Sequence, residues 1–207
     1  ADPKSEIAIR DELFRNLGNG TFASVAATAR LDDPGYSQGP AVGDLNGDGF
    51  PDVYVCNIGT NRYYLNNGDG TFSDITAESG TAGDAWSLSA AWADLNGDGL
   101  SDLYVVNYLA GDALERACVG TDGRRIQCSP TFFPGAADRL YLNQGDGTFL
   151  DISEAAGIQI PDGKGMGIVV GRLQDAQRAA IFVANDMTPN SLFAPQPHSS
   201  TTPRFEN

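Results

Sequence analysis

Nine residues, DLNGDGFPD at 44–52, recur 50 positions later as DLNGDGLSD at 94–102. Oxygen-bearing side chains stand at places one, three, five and nine: Asp44, Asn46, Asp48 and Asp52, then Asp94, Asn96, Asp98 and Asp102. A chain curling round an ion turns alternate side chains inward, and Gly47, Gly49, Gly97 and Gly99 permit the sharp curl. The seventh residue, Phe50 or Leu100, would lend only its backbone carbonyl, which leaves its side chain free to be apolar. Calcium takes six to eight oxygens at about 2.3–2.6 Å, whereas magnesium demands a stricter octahedron and keeps its waters. The spacing therefore predicts two calcium sites, with Phe50 and Leu100 as carbonyl donors among the ten ligand positions.

Charge supports an ion over a bare acidic turn. Three carboxylates about 5 Å apart repel by about 1 kcal/mol per pair in water and roughly 3 at an effective dielectric of 20. Their sum, on the order of 3–10 kcal/mol, is comparable with the 5–15 kcal/mol that holds a whole domain together. One copy would serve equally as an Asp/Gly-rich turn; two copies, each with the ninth aspartate and each ahead of an apolar run, favour the cation. An EF-hand is excluded, because position twelve is Val55 or Val105 instead of glutamate and a strand pattern follows. A third copy, GRLQDAQRAAIFVAN at 171–185, has Arg172, Gln174, Ala176 and Ala180 in the ligand places and should hold no ion.

The elements around these loops repeat as well. Hairpins are predicted at 13–25 (LFRNLGNGTFASV), 63–75 (YYLNNGDGTFSDI) and 140–152 (LYLNQGDGTFLDI), where Asn/Asp-Gly turns interrupt alternating apolar residues. Each acidic loop lies between a small-residue strand (GPAVGDL, SAAWADL, GIVVGRL) and an apolar one (DVYVCN, DLYVVN, AIFVAN). Four short strands in a unit of about 50 residues are the mark of a β-propeller blade. The expected fold is all-β: a tail at 1–11, a half blade at 12–31, a blade at 36–80, a blade at 86–158 with an insertion at 108–138, and a degenerate blade at 165–207. That amounts to about three and a half blades, either a small four-bladed ring or about half of a larger one, with the last blade's fourth strand cut off at RFEN. Helix is expected only as single turns at ITAESG and ISEAAG.

The chain has 207 residues and a net charge of −14, which argues against nucleic acid. No run of 18 apolar residues spans a membrane, and no basic-then-apolar leader opens the chain. Cys118 and Cys128 bracket CVGTDGRRIQC, a loop long enough to close as a disulfide; the absence of CxxC or a nearby histidine speaks against a metal cluster, and free thiols are the alternative. Cys56, alternating with Val53 and Val55, reads as a small core residue.

The acidic loop followed by an apolar strand resembles the FG-GAP repeat of integrin α propellers and the VCBS repeat of secreted bacterial proteins. RLYLNQGDGTFLDISEAAGI and VANDMTPNSLF are similar to bacterial proteins of the cartilage-acidic-protein type. The resemblance, over residues 12–207, implies a secreted or surface-exposed propeller, often seven-bladed, holding calcium in these loops. The Phe-Gly and Gly-Ala-Pro pieces are absent, with VCN, VVN and VAN in the latter's place, so integrin ligand recognition is not carried over.

For catalysis the sequence offers little. The single histidine, His198, lies in PQPHSSTTPR with nothing to orient it, and no G-x-S-x-G, P-loop or HExxH occurs. PDGKGMG at 161–167 lacks the Walker spacing. Trp86, Trp92, Tyr36 and Tyr108 are read as inter-blade packing before ligand contact. The expectation is a non-enzymatic, calcium-stabilised module for adhesion or protein recognition, secreted, on the cell surface or in a periplasm. The alternative is a carbohydrate-binding or carbohydrate-active protein with the propeller as scaffold. Partners would be an extracellular protein or glycan, with the insertion as contact surface, and open blade edges would favour self-association.

Overall fold

The computed structural model describes residues 10–173, 178–196 and 202–207. β1 (Phe14–Asn16) and β2 (Phe22–Ser24) pair as a hairpin, followed by the one-turn helix α1 (Ala26–Ala29). β3 (Tyr36–Gly43), β4 (Asp52–Ile58), β5 (Arg62–Asn66) and β6 (Phe72–Asp74) form an antiparallel sheet in chain order, closed by α2 (Thr76–Ser79). β7 (Ser87–Ala93) and β8 (Asp102–Asn107) begin the next sheet. The insertion then carries a small hairpin, β9 (Cys118–Val119) with β10 (Arg125–Ile126), before β11 (Arg139–Asn143), β12 (Phe149–Asp151) and α3 (Ser153–Ala156) complete it. The last sheet is β13 (Gly165–Gly171), β14 (Ala180–Asn185), β15 (Ser191–Pro195) and β16 (Phe205–Glu206). Among the described residues the fold is thus all-β, three four-stranded antiparallel sheets of propeller-blade type and two two-stranded hairpins, β1–β2 and β9–β10. Among the described residues no helix is long and apolar enough to cross a membrane.

One turn chemistry builds the three repeat hairpins. The side chains of Asn16, Asn66 and Asn143 accept from the N–H of Gly18, Gly68 and Gly145, and Asn19, Asp69 and Asp146 accept from Thr21, Thr71 and Thr148. The intervening glycines adopt positive φ, which costs them nothing. The single-turn helices α2 and α3 start where Asp74 and Asp151 accept from the N–H of Thr76 and Ser153. The hydroxyls of Thr76 and Ser153 in turn accept from the N–H of Tyr63 and Leu140, which fastens each turn to its sheet. α1 has no such cap, so nothing in its sequence announced it.

Alternation along the second strands assigns residues to opposite faces. Tyr54 and Cys56 of β4 pack against Leu103 and Val105 of β8; Tyr104 and Val106 of β8 pack against Ile181 and Val183 of β14. The first strands lie side by side, β7 between β3 and β13. This close stacking requires a bare backbone at Gly165, where a Cβ would stand 2.3 Å from Val106. In the last sheet the fourth-strand place is taken by Phe205–Glu206, which pairs with β15 and buries Phe205, although no Asn-Gly turn precedes it.

The insertion leaves β8 and returns to β11 through a stem in which Ala110 N–H donates to Pro134 and Ala136 N–H to Tyr108. Cys118 and Cys128 are joined as a disulfide, and the Arg116 guanidinium lies 5.8 and 5.7 Å from the Phe132 and Phe133 ring centroids. The stem docks on the third sheet: Tyr108 Oη donates to Asp186 and Gly135 N–H to Asp162. Gly135 fits only because it has no Cβ, which would stand 1.9 Å from the Gly163 carbonyl oxygen, backbone against backbone. Gly135→Ala is expected to lift the stem: amide exchange at Gly135 and Ala136 should quicken at least tenfold while β8 stays protected. Unchanged exchange there would refute the contact.

Candidate metal centre

Both acidic loops lie at the end of the sheets where the repeat hairpins turn, and their hydrogen bonds match atom for atom. Asp44 accepts from the N–H of Gly47 and Gly49, each at 2.9 Å; Asp94 accepts from Gly97 at 2.6 Å and Gly99 at 3.0 Å. Asn46 and Asn96 accept from the N–H of Asp48 and Asp98, and these aspartates accept from the N–H of Phe50 and Leu100. The curl is therefore wound by side chains capping backbone N–H groups, the reason short acidic and amide residues occupy these places.

The ninth aspartates are fully buried. One oxygen of Asp52 accepts from Leu45 N–H and the other from Asn66 N–H; Asp102 does the same with Leu95 and Asn143. Each thus ties its loop to the adjacent hairpin. Asn143 Nδ2 also donates to the Leu45 carbonyl of the preceding unit at 3.0 Å, linking the third repeat hairpin to the first loop. Asn66 and Asn143 are structural partners of the loops that their place in the turns did not reveal. The seventh residues bear on the same turns: a Cβ on Gly68 would stand 2.8 Å from the Phe50 ring, and one on Gly145 3.2 Å from Leu100.

Burial pushes the Asp102 carboxyl up to about 6, against the pull of the Leu95 and Asn143 N–H groups, and the charges of Asp98 and Asp94 add to the rise. Burial raises Asp52 too, with Asp48 and Asp44 adding to it. Each loop thus closes on a buried carboxylate held by two backbone N–H groups. Among the described residues no three acidic, histidine or cysteine side chains already converge as a metal cluster. Asn46 Nδ2 occupies an oxygen of Asp48, and Asn96 Nδ2 one of Asp98, at 2.8 Å in both. The donor set itself, carboxylate, amide and carbonyl oxygen throughout, suits a hard cation.

In the third copy Ala180 is buried at the ninth place and Arg172 is exposed; Gln174 and Ala176 lie outside the described residues, as does His198. Lys164 of the PDGKGMG stretch is buried and donates to Asp162 at 2.6 Å. Trp92 packs between sheets, Trp86 meets Tyr108 edge-on with ring centroids 5.2 Å apart, and Tyr36 is exposed.

A family model described as an FG-GAP-like repeat matches residues 5–55 and 44–105. Cartilage acidic protein 1 of Mus musculus is 47% identical over 55 residues, which are 26% of this chain and 8% of the mouse protein. Its Homo sapiens counterpart is 46% identical over 55 residues, with the same shares. The matched stretch thus spans less than a tenth of these relatives.

Proposed function

We propose, on the premise that this chain belongs to the FG-GAP-like repeat proteins, that it is a calcium-stabilised β-propeller module of a secreted or cell-surface protein that recognises another protein. The carrying observation is the pair of loops whose hydrogen bonds match atom for atom and whose oxygen-bearing side chains end in a fully buried aspartate, Asp52 or Asp102. A calcium ion would offset the carboxylates gathered there. Asp44, Asn46, Asp48, Asp52 and the Phe50 carbonyl would hold one; Asp94, Asn96, Asp98, Asp102 and the Leu100 carbonyl the other. The ion takes the place of Asn46 Nδ2 on Asp48 and leaves the backbone caps intact, tying first strand to second. The role is structural.

A protein partner, over a glycan, is favoured by the insertion. It presents Leu114, Val119, Ile126 and Phe132 to solvent on a disulfide-tied scaffold, and apolar residues on a rigid loop suit protein contact. The disulfide and the likeness to cartilage acidic protein 1 support an address outside the cytosol, the periplasm included.

Thermal unfolding in chelator and across a calcium titration tests the reading. Calcium at 100 times its Kd contributes about 2.7 kcal/mol per site, so two sites should raise the midpoint by roughly 10–20 °C. Magnesium should do far less, and Asp48→Ala with Asp98→Ala should abolish the shift. An unmoved midpoint in millimolar calcium would reduce both loops to turns.

A further inference from the structure

Residues 121–127, the far end of the insertion, are all exposed. Within them Arg124-Arg125 is the only pair of adjacent basic residues in the chain. Other cationic side chains are engaged in the body of the fold. Arg62 and Arg139 lie in β5 and β11 and pair with Asp74 and Asp151, and Lys164 is buried. Arg124, by contrast, reaches Asp122 at 3.6 Å with its side chain 86% exposed.

The backbone at this pair is open as well. Arg125 stands opposite Val119, and Ile126 opposite Cys118. Gly120 N–H donates to the Arg124 carbonyl at 2.8 Å, which makes Arg124 and Gly120 a hydrogen-bonded pair. Antiparallel pairing alternates, so Arg125 and Val119 form the open pair, and the Arg125 N–H and carbonyl point away from β9. The sheet has only these two strands, so no third strand covers that edge. An extended segment with a free edge is what another protein binds by strand addition, and arginine is the side chain that an aspartate-floored protease pocket takes. Two-residue strands also open at little cost.

The disulfide sets the consequence of a cut. Cys118 and Cys128 lie on either side of the pair. The stem bonds, Ala110 N–H to Pro134 and Ala136 N–H to Tyr108, lie outside both cysteines. A break after Arg125 therefore leaves the two parts joined and the blades intact, while it frees Ile126, one of the exposed apolar residues of the insertion.

We infer that the β9–β10 hairpin is a processing site for an arginine-specific endoprotease, which hydrolyses the Arg125–Ile126 bond and leaves a two-chain protein joined by Cys118–Cys128. Water balances the step. Its oxygen adds to the Arg125 carbonyl carbon, the C–N bond breaks, and a carboxylate and a protonated Ile126 amine remain. This rests on the reading of the insertion as a protein-contact surface and names the class of that partner.

The probe is a kexin-type endoprotease, which cuts after paired basic residues, acting on the folded, unaltered chain. One species is expected before reduction, and fragments 1–125 and 126–207 after it. The unfolding midpoint should stay within about 2 °C, as for a change at an exposed surface. Arg125→Gln, at an exposed side chain, should slow the cut at least tenfold. The inference is overturned by a chain that stays intact where a linear peptide of residues 116–130, with Cys118→Ser and Cys128→Ser, is cut. A first cut elsewhere, or fragments that part without reduction, also overturns it. So does a stable uncut complex, which would make the hairpin an inhibitor. The calcium titration uses the uncut chain, so either reading can fail alone.

Discussion

Trp92→Ala should lower the unfolding midpoint by roughly 6–20 °C, the consequence of a 3–5 kcal/mol loss for an aromatic deleted from packing in a domain of this size. Trp92 projects from β7 toward the preceding sheet. Its ring centroid lies 5.9 Å from Tyr54, edge-on, and 6.0 Å from both Tyr63 and Phe149. Gly43 makes room for it, since a Cβ there would stand 3.2 Å from the indole. Deletion opens a cavity where two sheets meet, and strands of 3–8 residues have few other large contacts to compensate. Trp92→Phe should lose less than half as much. It keeps a ring among rings and removes an indole N–H that is buried without an acceptor. Differential scanning calorimetry separates the outcomes; a drop below 3 °C for the alanine variant would show that the aromatic cluster is not what joins the sheets. Because Trp92 lies two residues before Asp94, the alanine variant should also loosen the second acidic loop relative to the first.

What could be read in advance follows from how local each determinant is. The hairpins and the curled loops are legible because their asparagines, aspartates and glycines satisfy backbone groups two to five residues away, so the pattern lies within one short window. The disulfide was legible for the same reason, its cysteines only 10 residues apart. The bond from Asn143 to Leu45 crosses 98 residues and exists only once two sheets have stacked. α1 lacks the Asp-Thr or Asp-Ser start that marks its counterparts, and β16 lacks the turn that marks the other fourth strands. The loops were thus readable as side-chain-capped turns. Their attachment through Asn66 and Asn143 depends on where the hairpins come to rest.

The same reasoning gives Asp138 an effect that its sequence context, AADRL, does not suggest. It sits where the insertion rejoins the blade, accepting from Asn107 N–H at 2.8 Å and from Tyr104 Oη at 2.9 Å. Burial pushes its carboxyl up to about 7, and the two hydrogen bonds only partly oppose the rise. The folded pKa exceeds the unfolded value of about 4, so the folded chain holds the extra proton between them. The contribution to stability is therefore complete below about pH 4 and is lost as pH rises to about 7. With about 1.4 kcal/mol for each unit of pKa difference, the loss is about 4 kcal/mol at most, less where the half-buried side chain meets solvent. Asp138→Asn retains an acceptor for Asn107 and offers a donor to Tyr104 Oη, without the charge. Between pH 5 and pH 8 the aspartate protein should lose about 1–3 kcal/mol more stability than the asparagine variant, which should be the more stable of the two at pH 8. Taking the difference cancels the titration of Asp52 and Asp102, which both proteins share. Urea unfolding at the two pH values gives the answer, and parallel losses would mean that Asp138 stays ionised against Asn107 throughout the range.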